Sequence, residues 1–221
     1  MNFEEGEIIS IDKDLDWTSF DVVKKIRGAL RIKKIGHAGT LDPLATGLLI
    51  LCTGKKTKTI HQFMDAEKEY TGELILGKTT PSYDLETETD SETDISDIDM
   101  DSIYTATQKF TGAIMQKPPI YSAIRIKGKR SYDLARKGKE VVLEARPITI
   151  DTFEITKIEL PKVSFRVVCS KGTYIRSLIH DFGQELGVGA YLSALRRTRI
   201  GEYSVDNAHN VEEFINQIKE A

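Results

Sequence analysis

Apolar and polar residues alternate over 6–11 (GEIISI), and a period of two predicts a strand. The period lengthens over 20–30, where Val22, Val23, Ile26 and Leu30 fall on one stripe of a helix that Thr18 or Ser19 can cap. From Ile35 to Gly47 three glycines and a proline interrupt the pattern, so a loop is expected there. An apolar β-type run over 48–53 follows and stops at Gly54, then a short basic helix is expected over 55–64. Residues 68–76 (KEYTGELIL) alternate like a half-buried strand, and 101–110 reads as a helix. The second half is richer in strands, over 119–126, 148–158 and 163–169, with helices over 173–186 and 210–219. Strands and helices interleave irregularly, which favours α+β over a doubly wound parallel sheet. No repeat and no Pro/Ser/Gly-rich linker divides the chain, so a single domain over 1–221 is expected.

Composition narrows the class. The 221 residues are 40% hydrophobic and 29% charged, as in an ordinary globular protein. The longest apolar run, Leu48 to Cys52, is far too short to span a bilayer, so no membrane is expected. The opening MNFEEGEII lacks the basic start and apolar stretch of a secretory signal, which points to the cytoplasm. Two cysteines, Cys52 and Cys169, fit a reducing compartment and supply neither a disulfide framework nor a four-thiolate zinc site.

The net charge of −3 argues against a nucleic-acid partner until the positions of the acids are considered. Nine of them lie between Asp84 and Asp101 with no Lys or Arg among them, so elsewhere 25 acids meet 31 bases. Six bases and no acid occur in 22–35, and eight bases occur in 117–139 against Asp133 alone. On charge alone two readings stay open: a surface for an anionic partner, or solvated helix and loop faces. The acidic run at about 84–101 has Thr89 where a calcium loop needs glycine, and reads as a solvated, mobile surface loop.

Several chemistries are excluded. GLLILCTGKK has Lys56 where a phosphate-binding P-loop needs Ser or Thr. His37, His61, His180 and His209 are scattered without ligand spacing, so a metal is not expected; no cofactor is expected either. There is no G-x-S-x-G elbow.

What stands out is GHAGTLDPLATG at 36–47. Asp42 sits in a glycine-rich loop, with His37 five residues earlier and Pro43 pushing Asp42 toward an extended backbone. Such a loop either caps a turn with its aspartate or presents a carboxylate to a ligand. A second segment, SKGTYIR at 170–176, ends a strand and puts Arg176 in the first turn of a helix, where a cation opposes the dipole. Arg176 is either a surface residue or the partner of a buried carboxylate, for which Asp42 is the candidate. A third cluster, LRRTRIG at 195–201, is expected on a strand or its exit with its arginines exposed.

These strings, together with G-x-x-T-K at 54–58, KEY at 68–70, PPIYSAIRIKGKRSYDLAR at 118–136, ARPI at 145–148, CSKGTYIRSL at 169–178 and LRRT at 195–198, closely resemble the bacterial TruB family of tRNA pseudouridine synthases. The matches run in order from about residue 8 to residue 203. The resemblance implies a pseudouridine synthase fold, α+β, with a central, mainly antiparallel mixed sheet flanked by helices. It also implies conversion of uridine-55 in the T-loop of tRNA to pseudouridine, with the T-arm stem-loop as partner. In that pattern Asp42 matches the catalytic aspartate and His37 the histidine that contacts substrate near the extruded base. Tyr70 resembles the tyrosine that stacks on the target base, Tyr174 the tyrosine lining the uridine pocket, Arg176 the arginine that pairs with the catalytic carboxylate, and Leu195 the apolar wall.

The chemistry suits these residue types. A carboxylate is a sensible nucleophile at a sugar–base bond, although retaining glycosidases add a second carboxylic acid and only one candidate is evident here. Since the detached base must reattach, excluding water matters more than activating it. Attack on the base, attack on the ribose and abstraction of a ribose proton all remain compatible with Asp42. Flipping the base costs a few kcal/mol, which aromatic stacking of about 1–3 kcal/mol partly offsets. Lys24, Lys25, Arg125, Lys127, Lys129, Arg130, Arg196 and Arg197 are the candidates for holding flanking phosphates.

Three departures from the family pattern are visible. The chain ends after a helix at 210–219, so the PUA module of many members is expected to be absent. Lys13 to Ser19 read KDLDWTS where the family commonly has K-P-x-G-x-T-S, so that loop is expected to differ in shape, and Arg125 stands where lysine is usual. A non-catalytic RNA-binding protein or tRNA chaperone on the same scaffold is the rival reading, and a carbohydrate-active hydrolase using Asp42 a more distant one. No obligate protein partner is expected, and without a heptad pattern a monomer is the simplest state.

Overall fold

Thr18 caps the first helix through a reciprocal capping box: its hydroxyl accepts from the Asp21 amide at 3.0 Å, and the Asp21 carboxylate accepts from the Thr18 amide at 3.0 Å. The computed structural model describes residues 2–122, 125–126, 129–131 and 143–220, the side chains at 125, 126, 129, 130 and 220 excepted. Lys127 and the side chains of Arg125, Lys129 and Arg130 therefore lie outside the described residues. In chain order the elements are β1 (Ile8–Lys13), α1 (Ser19–Leu30), β2 (Ile35–Ala38), β3 (Ala45–Thr53), a 3-10 turn (Gly54–Thr59), α2 (Ile60–Asp65) and β4 (Lys68–Leu76). Then come β5 (Lys78–Thr79), β6 (Ser91–Glu92), α3 (Met100–Lys109), β7 (Gly112–Gln116), β8 (Arg125–Ile126), β9 (Lys129–Arg130), β10 (Arg146–Glu159) and β11 (Lys162–Cys169). The chain finishes with α4 (Ile175–Glu185), β12 (Ala190–Ile200), β13 (Tyr203–Ser204), β14 (His209–Asn210) and α5 (Val211–Glu220).

Two compact units share these elements, one from residues 1–71 and 194–221 and the other from 72–193, and the boundaries fall inside β4 and β12. In the first unit β3 is the central strand. It pairs antiparallel with β1 along 47–52, antiparallel with β2 along 50–53, and parallel with β12 along 45–47. Leu49 and Leu51 face a core with Val22, Val23 and Ile26 of α1 and Phe214 and Ile215 of α5. Leu48, Ile50 and Cys52 face the other side, with Ile200 and Val205. A strand covered on both faces has to be apolar at every position, which explains the unbroken run.

In the second unit β4, β11, β10 and β7 lie in that order, and β10 pairs antiparallel with both β11 and β7. Phe182 of α4 packs edge-on against Phe153 of β10, and against Phe110 at the end of α3. Helices on mixed, mainly antiparallel strands make the fold class α+β. Among the described residues no helix is long and apolar enough to cross a membrane.

Three element expectations are corrected. The glycine-interrupted stretch contains β2 and the start of β3: Gly47, at φ 102°, lies inside the strand because a Cβ there would stand 2.3 Å from the Arg197 carbonyl oxygen. The basic helix over 55–64 is a 3-10 turn followed by a short α-helix. Of the strand expected over 119–126, residues 119–122 form none, since Pro118 and Pro119 cannot donate to a ladder, whereas Arg125–Ile126 form β8.

Candidate active site

The loop carrying Asp42 joins β2 to β3 in the first unit and is held from both sides of the aspartate. The buried Ser19 hydroxyl donates to the Leu41 carbonyl at 3.2 Å and accepts from the Leu41 amide at 2.9 Å. The Pro43 carbonyl accepts from the Asp16 amide at 2.9 Å and from Lys13 Nζ at 3.4 Å. The Asp42 carbonyl itself accepts from the Ala45 amide at 3.0 Å. Lys13 is fully buried and also donates to the carbonyls of Asp14 at 2.8 Å and Trp17 at 2.7 Å. Its ammonium therefore ties the 14–17 loop to the Asp42 loop. Burial lowers its pKa to about 8, against the pull of Asp14, Asp42 and Asp16 and with added repulsion from Arg197. Asp16, standing where the family pattern has glycine, takes a left-handed φ of 63°, a conformation aspartate tolerates better than most residues.

The other first-unit candidates lie on β2, β4 and β12. His37 lies on β2, and burial first, then the charge of Arg197, pushes its pKa below the usual value, a hydrogen bond to the Gly39 backbone acting the other way. It is a neutral imidazole at pH 7. Tyr70 is buried on β4, and the half-buried Leu195 on β12 is in register with Ala45.

The arginines of β12 correct an expectation. Arg197 is 2% exposed, with Nε donating to the Leu48 carbonyl at 2.8 Å and Nη2 to the Gly39 carbonyl at 3.1 Å. It fills the stretch of β3's edge between β2 and β12, so it is a structural cation and cannot hold a phosphate. Arg196 remains partly exposed, but its guanidinium makes two parallel bonds to the Asp12 carboxylate, at 3.0 and 2.6 Å. Lys25 pairs with Glu212 at 2.9 Å, and Lys24 is exposed.

In the second unit Arg176 stands in the first turn of α4 and is 5% exposed. An anion of the same unit lies beside it: Oδ2 of Asp84 is 3.4 Å from Arg176 Nη1, with both side chains buried. Nη1 also donates to the Ser82 carbonyl at 3.2 Å and Nη2 to the Tyr121 carbonyl at 2.9 Å. Asp84 is thus not part of a solvated loop. Its carbonyl accepts from the Thr80 and Ser82 hydroxyls at 2.7 and 3.2 Å, and its carboxylate from the Glu86 amide at 2.9 Å. The sequence signal for it is the run of hydroxyl residues around it, Thr79, Thr80, Ser82 and Thr87, which can satisfy a buried backbone and carboxylate together. Residues beyond it up to Met100 are exposed apart from the half-buried Thr87, Ile95 and Ile98, and Ser91–Glu92 pair with β5 as a short ladder.

Tyr174 is the N-cap residue of α4, and Gln116, which no motif singles out, fixes it. The side-chain amide of Gln116, 1% exposed, donates to the Tyr174 carbonyl at 3.0 Å and accepts from its N–H at 2.8 Å. The Arg146 guanidinium lies over the Tyr174 ring, 5.0 Å from its centroid, and donates to the Gly172 carbonyl at 2.6 Å. Among the described residues no three His, Cys, Asp or Glu side chains are grouped so as to hold a metal ion. The first unit thus offers a carboxylate on a fixed backbone together with a buried phenol and a neutral imidazole, and the second a guanidinium locked by a carboxylate and two carbonyls.

Comparison with known proteins gives the same direction. A model of the TruB family pseudouridylate synthase N-terminal domain matches residues 27–175, and one of the tRNA pseudouridylate synthase B C-terminal domain matches 176–221. The tRNA pseudouridine synthase B of Phocaeicola vulgatus is 51% identical over 220 residues, covering 97% of this chain and 94% of its own. That of Flavobacterium johnsoniae is 52% identical over 217 residues and covers 95% of each. Among solved structures, a Cbf5-Nop10-Gar1 complex aligns over 97% of this chain with a TM-score of 0.74 and 32% identity. An H/ACA RNP bound to a substrate RNA containing 2'-deoxyuridine aligns at 0.72 and 30% over 97% of the chain. The chain spans about half the length of those two, 54% and 53%.

Proposed function

This chain belongs to the TruB family of pseudouridylate synthases, and on that footing we propose that it is an isomerase converting uridine-55 in the T-loop of tRNA to pseudouridine, with Asp42 acting on a base turned out of the RNA. The C–N glycosidic bond breaks and a C–C bond to the same ribose carbon forms. The bonding base carbon loses a hydrogen and the freed ring nitrogen gains one, so nothing external is consumed. A carboxylate held on a rigid loop suits such a step, because the cost of ordering it is met in folding rather than at the transition state. Tyr70 provides a flat apolar face for the base, and Leu195 an apolar wall that keeps water from the open intermediate. By the motif match, Tyr174 is assigned to the uridine pocket and Arg176 to the ion pair with the catalytic carboxylate, a role that rests on the motif alone; its guanidinium is held within its own unit by Asp84, Ser82 and Tyr121.

The observation that carries the reading is the fixing of the Asp42 loop by Ser19, Asp16 and Lys13 within a chain matched to this family along its length. The test is incubation with an unmodified tRNA transcript and mapping of the isomerised uridine. The wild-type protein forms pseudouridine at position 55, and Asp42→Asn folds and binds the transcript yet forms none. Turnover by that variant removes the nucleophile, and binding without isomerisation by the wild type leaves only an RNA-binding protein.

A further inference from the structure

Tyr83 holds a left-handed φ of 65°, a region that a bulky aromatic rarely enters and that glycine normally fills. Its two neighbours show what the turn achieves. The Ser82 carbonyl and the Asp84 carboxylate both reach Arg176 Nη1, at 3.2 and 3.4 Å, so the backbone between them has to reverse within one residue. A reversal of this kind is a natural place for glycine. The tyrosine is instead held by its ring, which stacks on the imidazole of His180 with centroids 3.8 Å apart and planes 16° from parallel.

His180 lies four residues after Arg176 on α4, one turn along the same face. The segment 82–84 therefore grips one helix face at two levels, by charge at Arg176 and by stacking at His180. The backbone around it is bonded too: the Tyr83 amide donates to the Thr80 carbonyl at 3.1 Å, and its carbonyl accepts from the Leu192 amide at 2.9 Å. Nδ1 of His180 is buried without a hydrogen-bond partner among the described residues, so the contact with Tyr83 is made by the ring's flat surface and not through Nδ1. Burial keeps the imidazole neutral and the Tyr83 phenol protonated, which leaves two uncharged rings face to face.

We propose that Tyr83 and His180 are positioning residues: their stack holds the left-handed turn that aims the Ser82 carbonyl and the Asp84 carboxylate at Arg176. The kinetic half of this inference rests on the isomerase reading above; the structural half does not.

The test compares single-turnover rates on the tRNA transcript with transcript affinity. Tyr83→Phe and His180→Phe keep two stacked rings and retain the wild-type rate within about twofold. Tyr83→Ala and His180→Ala lower the rate tenfold or more while the dissociation constant moves less than threefold, and the double variant is no slower than either single one. Wild-type rates in both alanine variants, or a tenfold loss in either phenylalanine variant, overturn the proposal. A readout independent of turnover is the Arg176 guanidinium N–H resonances in NMR. They are protected from exchange in the wild type and in Tyr83→Phe, and lose protection in Tyr83→Ala. Unchanged protection in Tyr83→Ala overturns the proposal even if no pseudouridine is ever formed, whereas lost protection without turnover in the wild type condemns only the isomerase reading.

Discussion

Lys13 is an ammonium with no exposure to water, satisfied by the carbonyls of Asp14, Trp17 and Pro43. Its pKa is about 8 in the folded protein against 10.5 for a free lysine, so between those values the unfolded chain binds more protons. Stability contributed at this site therefore rises with pH from about 8 to 10.5, by at most about 1.4 kcal/mol per pH unit. Below pH 8 both states hold the proton and the burial cost is felt in full. Lys13→Met removes the titration, so urea unfolding should show the wild-type minus variant free energy climbing between about pH 7.5 and pH 10. A constant difference would show that Lys13 is not desolvated as described. Residue-scale burial of this kind was hardly legible in the chain: a lysine and an arginine, Lys13 and Arg197, are both inside, and nothing in their local sequence distinguishes them from surface cations. What holds them is a set of carbonyls from remote loops, which form a group only after folding.

Two glycines of the first unit separate what an element needs from what its neighbours need. Gly28 sits in α1, and a methyl group in place of its hydrogen would meet nothing within 4 Å, so Gly28→Ala should stabilise the protein by about 0.5–1 kcal/mol through the unfolded chain's entropy. Gly47 combines φ 102° with backbone of Arg197 at 2.3 Å, so Gly47→Ala should cost about 3 kcal/mol or more and lower the thermal midpoint. Calorimetry on the pair checks both signs, and an unchanged midpoint in Gly47→Ala would contradict the close β3–β12 approach. At this scale α1 was readable to within a residue, because its capping box and apolar stripe are local. β2 and the first residues of β3 were not. Their glycines look like loop in isolation, and only the approach of β12 makes one of them a strand residue.

Across the full chain, net charge misleads. The protein carries −3, yet six bases stand in 22–35 with no acid among them, while nine acids are confined to 84–101. On the proposed function, tRNA held by exposed bases such as Lys24 would release counterions, so the dissociation constant should rise about tenfold or more between about 50 and 200 mM salt. A flat titration, measured by filter binding, would count against a phosphate-contacting surface. The division into two units with boundaries inside strands was not visible either. A linker announces itself in composition, whereas a strand that passes from one unit to the other reads as one continuous alternation.

Periodicity, caps and contiguous motifs are properties of neighbouring residues, so the α+β class, the principal helices, most of the long strands and the family could all be read along the chain. Motifs likewise marked Asp42, Tyr70, Tyr174 and Arg176 as candidates. Folding added what no motif carried: Asp84 stands beside the cation at the start of α4, the first acid of the acidic run is buried rather than solvated, Gln116 fixes Tyr174, and Tyr83 meets His180. Each of these joins residues tens of positions apart through an oriented hydrogen bond, a charge pair in a water-poor setting or a ring stack, or depends on such a contact, and interactions of that kind have no one-dimensional signature.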